Sequence, residues 1–411
     1  MEGKRFIHTL RLKNLLSYGS EGEEIELQPL NVLIGANASG KSNLIEAIRL
    51  LRGTCHKPQD LNSLIYTGGG VSEWLWKGEK DIPIAKIEAI LDSPWGTMPL
   101  RYQLSFTMRN QVLAITDEVI ENEQPSFPGD FFYRFQNGSP VVNAITPTEP
   151  PASTSVTRTS IPLNSATHGF GGFNYSQSIL SQIREPYQYP EITYLGYSFP
   201  MICFYRLWNI TPYTPPRQPL KLDSAVAALA EDGSNLALVI NDLQYRLGNQ
   251  SFIQEIVEKL KKIYPQVTDI SLKIEGGTIQ IFLREQYLSQ PIPATRLSDG
   301  TIRYLCLLAL LCHPILPPLI CLEEPEIGLH PDMMSTIADL LIEASQRTQL
   351  IVTTHSEALV SSLPPESVVV CERDDLGTHL RRLDPERLKK WLEDYSLGEL
   401  WSMGEIGGTQ W

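Results

Sequence analysis

The sequence predicts an α/β fold, and three observations carry that prediction. A short buried-strand run, LNVLI at 30–34, stops at a glycine-rich turn and passes straight into an amphipathic helix. Residues 82–136 hold period-two runs, with Leu100, Tyr102, Leu104, Phe106 and Met108 alternating with polar residues, the mark of antiparallel pairing. After residue 284, helix and apolar strand alternate, which points to parallel strands covered by helices.

Bulk properties narrow the class. The 411 residues are 42% hydrophobic and 20% charged, the proportions of a folded globular chain and not of a disordered one. No apolar stretch approaches the ~18 residues of a membrane span, and the start MEGKRFIHTL lacks the apolar centre of a secretory signal, so a cytoplasmic location without a membrane partner is expected. Six scattered cysteines without a C-x-x-C pair read as reduced core residues. A formal net charge of −13 opposes non-specific nucleic-acid binding. A DNA contact would need a local basic patch, and the two candidates, 258–264 and 379–390, read first as solvated helix faces.

Taken in order, residues 6–12 form a strand with Phe6, His8, Leu10 and Leu12 on one face. The Pro-, Ser- and Thr-rich stretch 137–168 reads as a long loop or insertion. Helices then begin near Ser234 and at Ser251, where Ser251 and Gln254 fit a capping box. A hairpin over 268–284 turns at Gly276-Gly277. Asp374-Asp375 reads as a turn between two strands, and a closing helix starts at Asp384 with Pro385 in its first turn. There is no internal repeat and no sustained heptad, hence no long coiled coil.

The strongest chemistry lies in GANASGKS, Gly35 to Ser42, which matches G-x-x-x-x-G-K-[ST] between a buried strand and a helix whose Leu44, Ala47, Ile48 and Leu51 share a face. Glycines let backbone N–H groups turn in around phosphate oxygens, and the helix N-terminus favours the negative charge. Gly35, Asn37, Ala38, Ser39, Gly40, Lys41, Ser42 and the adjoining Asn43 are therefore the expected ATP contacts. Lys41 reaches the β- and γ-phosphates and the Ser42 hydroxyl ligates Mg²⁺.

Three further elements follow. The apolar run 319–322 ends in Glu323 and Glu324; beside a P-loop the first serves the metal, through bound water, and the second orients or deprotonates the attacking water. LSDGT, Leu297 to Thr301, opens a helix that is apolar almost all round, an N-terminus suited to an anion. LIVTTHSEALV is a buried strand ending at His355; a lone strand-end histidine is usually structural or exposed, but its place after the acid pair favours a catalytic reading.

P-loop, LSDGT, a strand ending in two acids and then a strand-end histidine is the motif order of an ABC-type ATPase head. IHTLRLKNLLSYG, LEEPEIGLHP, TTHSE and LAEDGSNLALVINDL most resemble the RecF, OLD and SMC-related AAA-type ATPases of prokaryotes, over nearly the whole chain. The resemblance implies a P-loop NTPase with an antiparallel β subdomain and a helical signature-bearing lobe, divided here as 1–185 and 186–411. It implies ATP and Mg²⁺ as cofactors and an ATP-dependent head-to-head homodimer, or a higher homo-oligomer. Ser298 and Gly300 would then touch the γ-phosphate held by the partner, and His355 that of its own chain. The lobe-joining glutamine, a metal contact in the family, maps to Gln182 rather than Gln177. Two positions depart from the pattern: Glu323 stands where an Asp is usual, and Asp299 replaces a glycine.

The chain carries neither the coiled coil of SMC proteins nor, in the 56 residues after His355, room for the nuclease domain of OLD proteins. Three functions follow. The chain is an ATPase controlling a separately encoded effector, such as a nuclease, in anti-phage defence; or a RecF-like DNA-binding ATPase in repair; or, least favoured, the energising subunit of a transporter.

Overall fold

The computed structural model describes residues 3–55, 60–95, 98–136, 138–145, 158–163, 173–206, 208–222, 228–246 and 250–408. Its strands in chain order are β1 (Ile7–Lys13), β2 (Glu23–Glu26), β3 (Leu30–Ile34), β4 (Ala85–Leu91), β5 (Leu100–Arg109), β6 (Val112–Asn122), β7 (Phe131–Gln136), β8 (Ser139–Ile145) and β9 (Arg158–Pro162). They continue with β10 (Cys203–Tyr205), β11 (Leu220–Lys221), β12 (Val267–Glu275), β13 (Thr278–Glu285), β14 (Ile292–Pro293), β15 (Leu319–Glu323), β16 (Gln349–Thr353), β17 (Val368–Asp374) and β18 (Gly377–Arg382). The longer described helices are α1 (Lys41–Gly53), α2 (Pro190–Ser198), α3 (Gln250–Lys261), α4 (Asp299–Leu311) and α5 (Met334–Ser345).

Two compact units share the chain. The first comprises Arg5–Ile202, Val369–Leu383 and Ile406–Trp411; the second comprises Met1–Lys4, Cys203–Val368 and Asp384–Glu405. The units are discontinuous, because β17 and β18 return beside β3.

In the first unit, β2-β1-β4-β5-β6-β7-β8-β9 form an antiparallel sheet. Leu10 and Leu12 are buried as their alternation predicts, but the register of β1 on β4 shifts between Ile7 and Thr9. That irregularity puts Ile7 in the core and leaves His8 half-buried, 3.0 Å from Asp92. Gln103 and Ser105 are buried along with the apolar residues of β5. The polar side of this sheet is laced by ion pairs: Glu88 takes Arg11, Lys86 and Arg101, and Glu121 takes Arg101 and Arg134. Burial by itself would raise the Glu88 carboxyl, but bonds from Arg101, Lys86 and Arg11 overcome it and hold it at about 2.

The expected loop 137–168 is partly strand, since β8 and β9 pair within it; the Pro-Ser-Thr-rich centre lies outside the described residues. β3 is buried along its whole length, and α1 buries Leu44, Ala47, Ile48 and Leu51 as predicted.

In the second unit β10, β15 and β16 run parallel. The predicted hairpin is β12–β13, and both turn glycines are left-handed, at φ 56° for Gly276 and 77° for Gly277. The helix near Ser234 begins at Leu236, and α3 begins at Gln250, one residue before Ser251, whose side chain lies outside the described residues. α4 is buried continuously from Ile302 to Leu311. None of the six cysteines forms a disulfide, and five are buried. No helix among the described residues is long and apolar enough to cross a membrane.

Candidate nucleotide site

The P-loop is shaped by backbone that side chains would obstruct. Gly35 sits at φ 147°, and a Cβ there would come within 2.3 Å of the Cys371 carbonyl. Gly40 sits at φ 105°, where a Cβ would strike Thr378 Oγ1 at 2.3 Å. Ala38 between them also turns left-handed, at φ 63°. The loop is fastened from behind: Thr378 Oγ1 donates to the Ser39 carbonyl (3.0 Å), and the fully buried Tyr18 hydroxyl donates to the Gly40 carbonyl (3.3 Å). Tyr18 is a core residue supporting the loop.

Lys41 is buried, and its ammonium donates to the carbonyls of Gly35 (2.7 Å) and Ala36 (2.8 Å). Ser39 Oγ is buried without a hydrogen-bond partner. Asn37, Ala38 and Ser42 are exposed and Asn43 half-buried. A cleft of about 660 Å³ opens along residues 36–39, walled by 371–375 at the end of β17 and by Gly408. A nucleotide-sized cleft, an orphaned hydroxyl and a buried cation fit a polyphosphate. Asp374, on that wall, accepts the N–H groups of Leu376 (2.8 Å) and Gly377 (3.2 Å), so the turn predicted from sequence is a turn.

The acid pair and His355 belong to the second unit. β15 and β16 are in parallel register with Glu323 opposite Thr353, so the residues that follow each strand emerge at the same end. Glu323 is held by Arg206, whose Nε lies 2.6 Å from Oε1. Glu324 adopts φ 47°, unusual for a side-chain-bearing residue, and its N–H donates to the Thr353 carbonyl at 2.9 Å. That turn carries the carboxylate toward the imidazole of His355, with Oε1 3.9 Å from Nε2. Glu326, which sequence reasoning passed over, joins the two segments: its Oε1 accepts Thr354 Oγ1 (2.6 Å) and the His355 N–H (2.8 Å). Its place in LEEPEIGLHP was the one available signal.

At α4, Ser298 is the N-cap and accepts the Thr301 N–H at 3.1 Å. The carboxylate of Asp299 is bound by Arg217, a nearly fully buried side chain that nothing in the sequence pattern singled out. Gln182, expected as a metal contact, has its amide engaged locally: Oε1 accepts the Asn174 N–H (2.8 Å), and Nε2 donates to the carbonyls of Asn174 and Gln177 (3.0 Å each). A metal role would require releasing those bonds. Among the described residues no group of three or more His, Cys, Asp or Glu side chains is placed to hold a metal.

Fold and P-loop define a P-loop ATPase of the ABC type. The chain belongs to the family described as "AAA domain, putative AbiEii toxin, Type IV TA system", which matches residues 30–145 and 216–361. A comparison with curated proteins gives no match. Among solved structures, the chain is similar to an SMC head bound to the C-terminal winged-helix domain of ScpA, at 15% identity and a TM-score of 0.56, covering 93% of this chain and 99% of that one. It is also similar to the Smc head with an extended coiled coil, bound to the C-terminal domain of ScpA derived from Pyrococcus furiosus. There the identity is 14%, the TM-score 0.52, and the coverage 95% of this chain and 99% of that chain. At such identities the likeness is one of fold.

Proposed function

We propose that this chain binds Mg-ATP and hydrolyses it, that ATP draws two copies together head to head, and that the cycle controls a separately encoded effector protein. The observation that carries hydrolysis is Glu324, a carboxylate kept at φ 47° beside His355. Backbone strain of this kind costs about 1–3 kcal/mol and persists where the surrounding structure needs that side chain in that place.

Each residue then has a task. Lys41 exchanges the carbonyls of Gly35 and Ala36 for phosphate oxygens, and Ser39 Oγ gains a partner. Ser42 holds the metal, which when bound neutralises charge on the phosphates. Glu323 assists that metal through water once its pair with Arg206 loosens. Glu324 takes the proton of the attacking water, and His355 holds the phosphate side of the same water. A partner-directed role is supported by the family's description, which couples an AAA domain to a toxin system, and by the SMC heads, which are bound to ScpA domains. The net charge of −13 weighs against DNA as the first partner.

The test is phosphate release by the purified chain beside Lys41→Ala. ATP binding, measured by calorimetric titration, and phosphate release should both vanish in the variant; tight ATP binding by Lys41→Ala would sink the P-loop assignment. Co-expression with its genomic neighbours should then yield an effector whose activity changes with ATP.

A further inference from the structure

A sheet edge is a template for another strand, and several edges of this protein are blunted. β10, β11 and β14 have only two or three residues, and β9 contains Pro162. β12 differs: at nine residues, Val267–Glu275, it is the longest edge strand among the described residues. It pairs with β13 on one side, and no described strand pairs with its other side. β11 and β14 take the far side of β13. Glu275 and Thr278 face each other across the Gly276-Gly277 turn and exchange backbone bonds, so by alternation Lys273, Ser271 and Asp269 also bond to β13. The N–H and C=O groups of Ile270, Leu272 and Ile274 therefore point to the open edge.

Charged side chains on an edge ordinarily keep other strands away. Here their order suits one partner, an antiparallel copy of the same strand. Ser271 is the middle residue of β12. With a two-fold axis there, the two strands overlap along their whole length, and Ile270 bonds with Leu272 of the second copy. Asp269 then stands opposite Lys273 of the second copy, and the symmetry repeats the pair. Both ion pairs fall between the bonded pairs, where facing side chains come closest. The other registers that match the open backbone groups are poorer. An axis at Leu272 sets Asp269 against Glu275, and one at Lys273 brings two lysines together. An axis at Ile270 sets Lys273 opposite Val267, and one at Ile274 joins only the turn ends. Lys273 is paired with Glu275 on its own strand (2.6 Å), an exposed contact that costs little to share.

The opposite face of the strand carries Ile270, Leu272 and Ile274. α3 packs against β12 and Ile270 is buried, yet Ile274 is 54% exposed. In the register centred on Ser271, Ile274 comes beside Thr268 of the second copy, and the two apolar rows run on as one.

We propose that β12 pairs edge to edge with β12 of a second copy, about a two-fold axis at Ser271, in a dimer that needs no nucleotide. The contact is isologous, each copy offering the same residues to the other. It is independent of the head-to-head contact proposed above, and ATP-driven association is then growth beyond the nucleotide-free state.

Sedimentation velocity of Lys41→Ala protein, in which carried-over ATP plays no part, should show a dimer. A monomer at every concentration overturns the proposal, including the case in which this edge serves a strand of some other protein. Lys273→Asp sets like charges against Asp269 and should weaken the dimer by roughly tenfold or more. Adding Asp269→Lys restores opposite charges and should recover it, which also shows that the fold tolerates both changes. A dimer indifferent to Lys273→Asp, or not recovered by the exchange, overturns the pairing. Cysteine reads the axis directly. In a Cys203→Ser background, which removes the native cysteine that is not buried, Ser271→Cys should give a disulfide-linked dimer under mild oxidation. Facing Cα atoms at that position are about 4.5 Å apart, within disulfide reach. Lys273→Cys should not cross-link, because the two copies of residue 273 lie about 13 Å apart along the strand. Cross-linking at 273, or none at 271, overturns the axis.

Discussion

Glu323 and Glu324 are neighbours in sequence with opposite surroundings. Glu323 ends β15 in ordinary strand geometry, paired to Arg206; Glu324 is turned left-handed toward His355. They should therefore fail differently. Glu324→Gln keeps shape but removes the base, so ATP still binds, hydrolysis falls by about 10²–10⁴-fold, and an ATP-bound dimer accumulates. Glu323→Gln should raise the Mg²⁺ requirement without trapping a dimer. Light scattering with Mg-ATP, read beside phosphate release, distinguishes them; a trapped dimer in Glu323→Gln alone would reverse the two roles. The strain makes a second prediction. Glu324→Gly should lose hydrolysis yet melt no lower than the parent, because glycine accepts φ 47° and relieves about 1 kcal/mol. A large drop in melting temperature would show that the Glu324 side chain also holds the fold.

At the scale of an element, the segment carrying Gln182 is anchored by one buried acid. Glu118 on β6 accepts the Ser178 hydroxyl (2.5 Å), the Ile179 N–H (3.0 Å) and the Tyr102 hydroxyl (2.8 Å), which fixes the start of the short helix Ile179–Gln182. Burial pushes its carboxyl up to about 7 against the hydrogen bonds that favour the anion. The folded pKa lies above the unfolded one, so the folded state holds the proton more tightly. The resulting stability is fully present below about 4.5 and is lost as pH rises to about 7, on the order of 3 kcal/mol in all. Denaturant titrations of wild type and Glu118→Gln between pH 4.5 and 8 should show this fall in the former and a flatter profile in the latter. Equal slopes would refute the assignment.

For the whole molecule, charge decides more than any single patch. Within the two basic stretches, Lys259 pairs with Glu255 and Glu343, Lys261 with Glu258, and Arg387 with Asp384. Arg382 is turned inward onto the Glu26 carbonyl and Asn31. With a net charge of −13, the isolated chain should neither bind DNA tightly at physiological salt nor, without that contact, cut it. Metal-dependent cleavage of plasmid DNA by protein free of contaminants would contradict this, and would direct attention to Asp374 and Asp375.

The sequence by itself determined the strand–turn–helix of the P-loop, the period-two strands of the first unit, the Gly276-Gly277 hairpin and the buried strands leading to Glu323 and His355. Each is a local pattern, in which periodicity, glycine and a cap speak for residues close by in the chain. It misread the start of β1, where an irregular register replaces alternation, and the stretch around β8 and β9, whose pairing outweighs a loop-like composition. Only the tertiary structure decided which residues answer one another across long separations. Arg206 finds Glu323, Arg217 finds Asp299, Glu326 ties down His355, and Thr378 reaches the carbonyl of Ser39. Such pairs leave no periodic trace, because a buried charge is satisfied by whatever the fold brings within 3 or 4 Å of it.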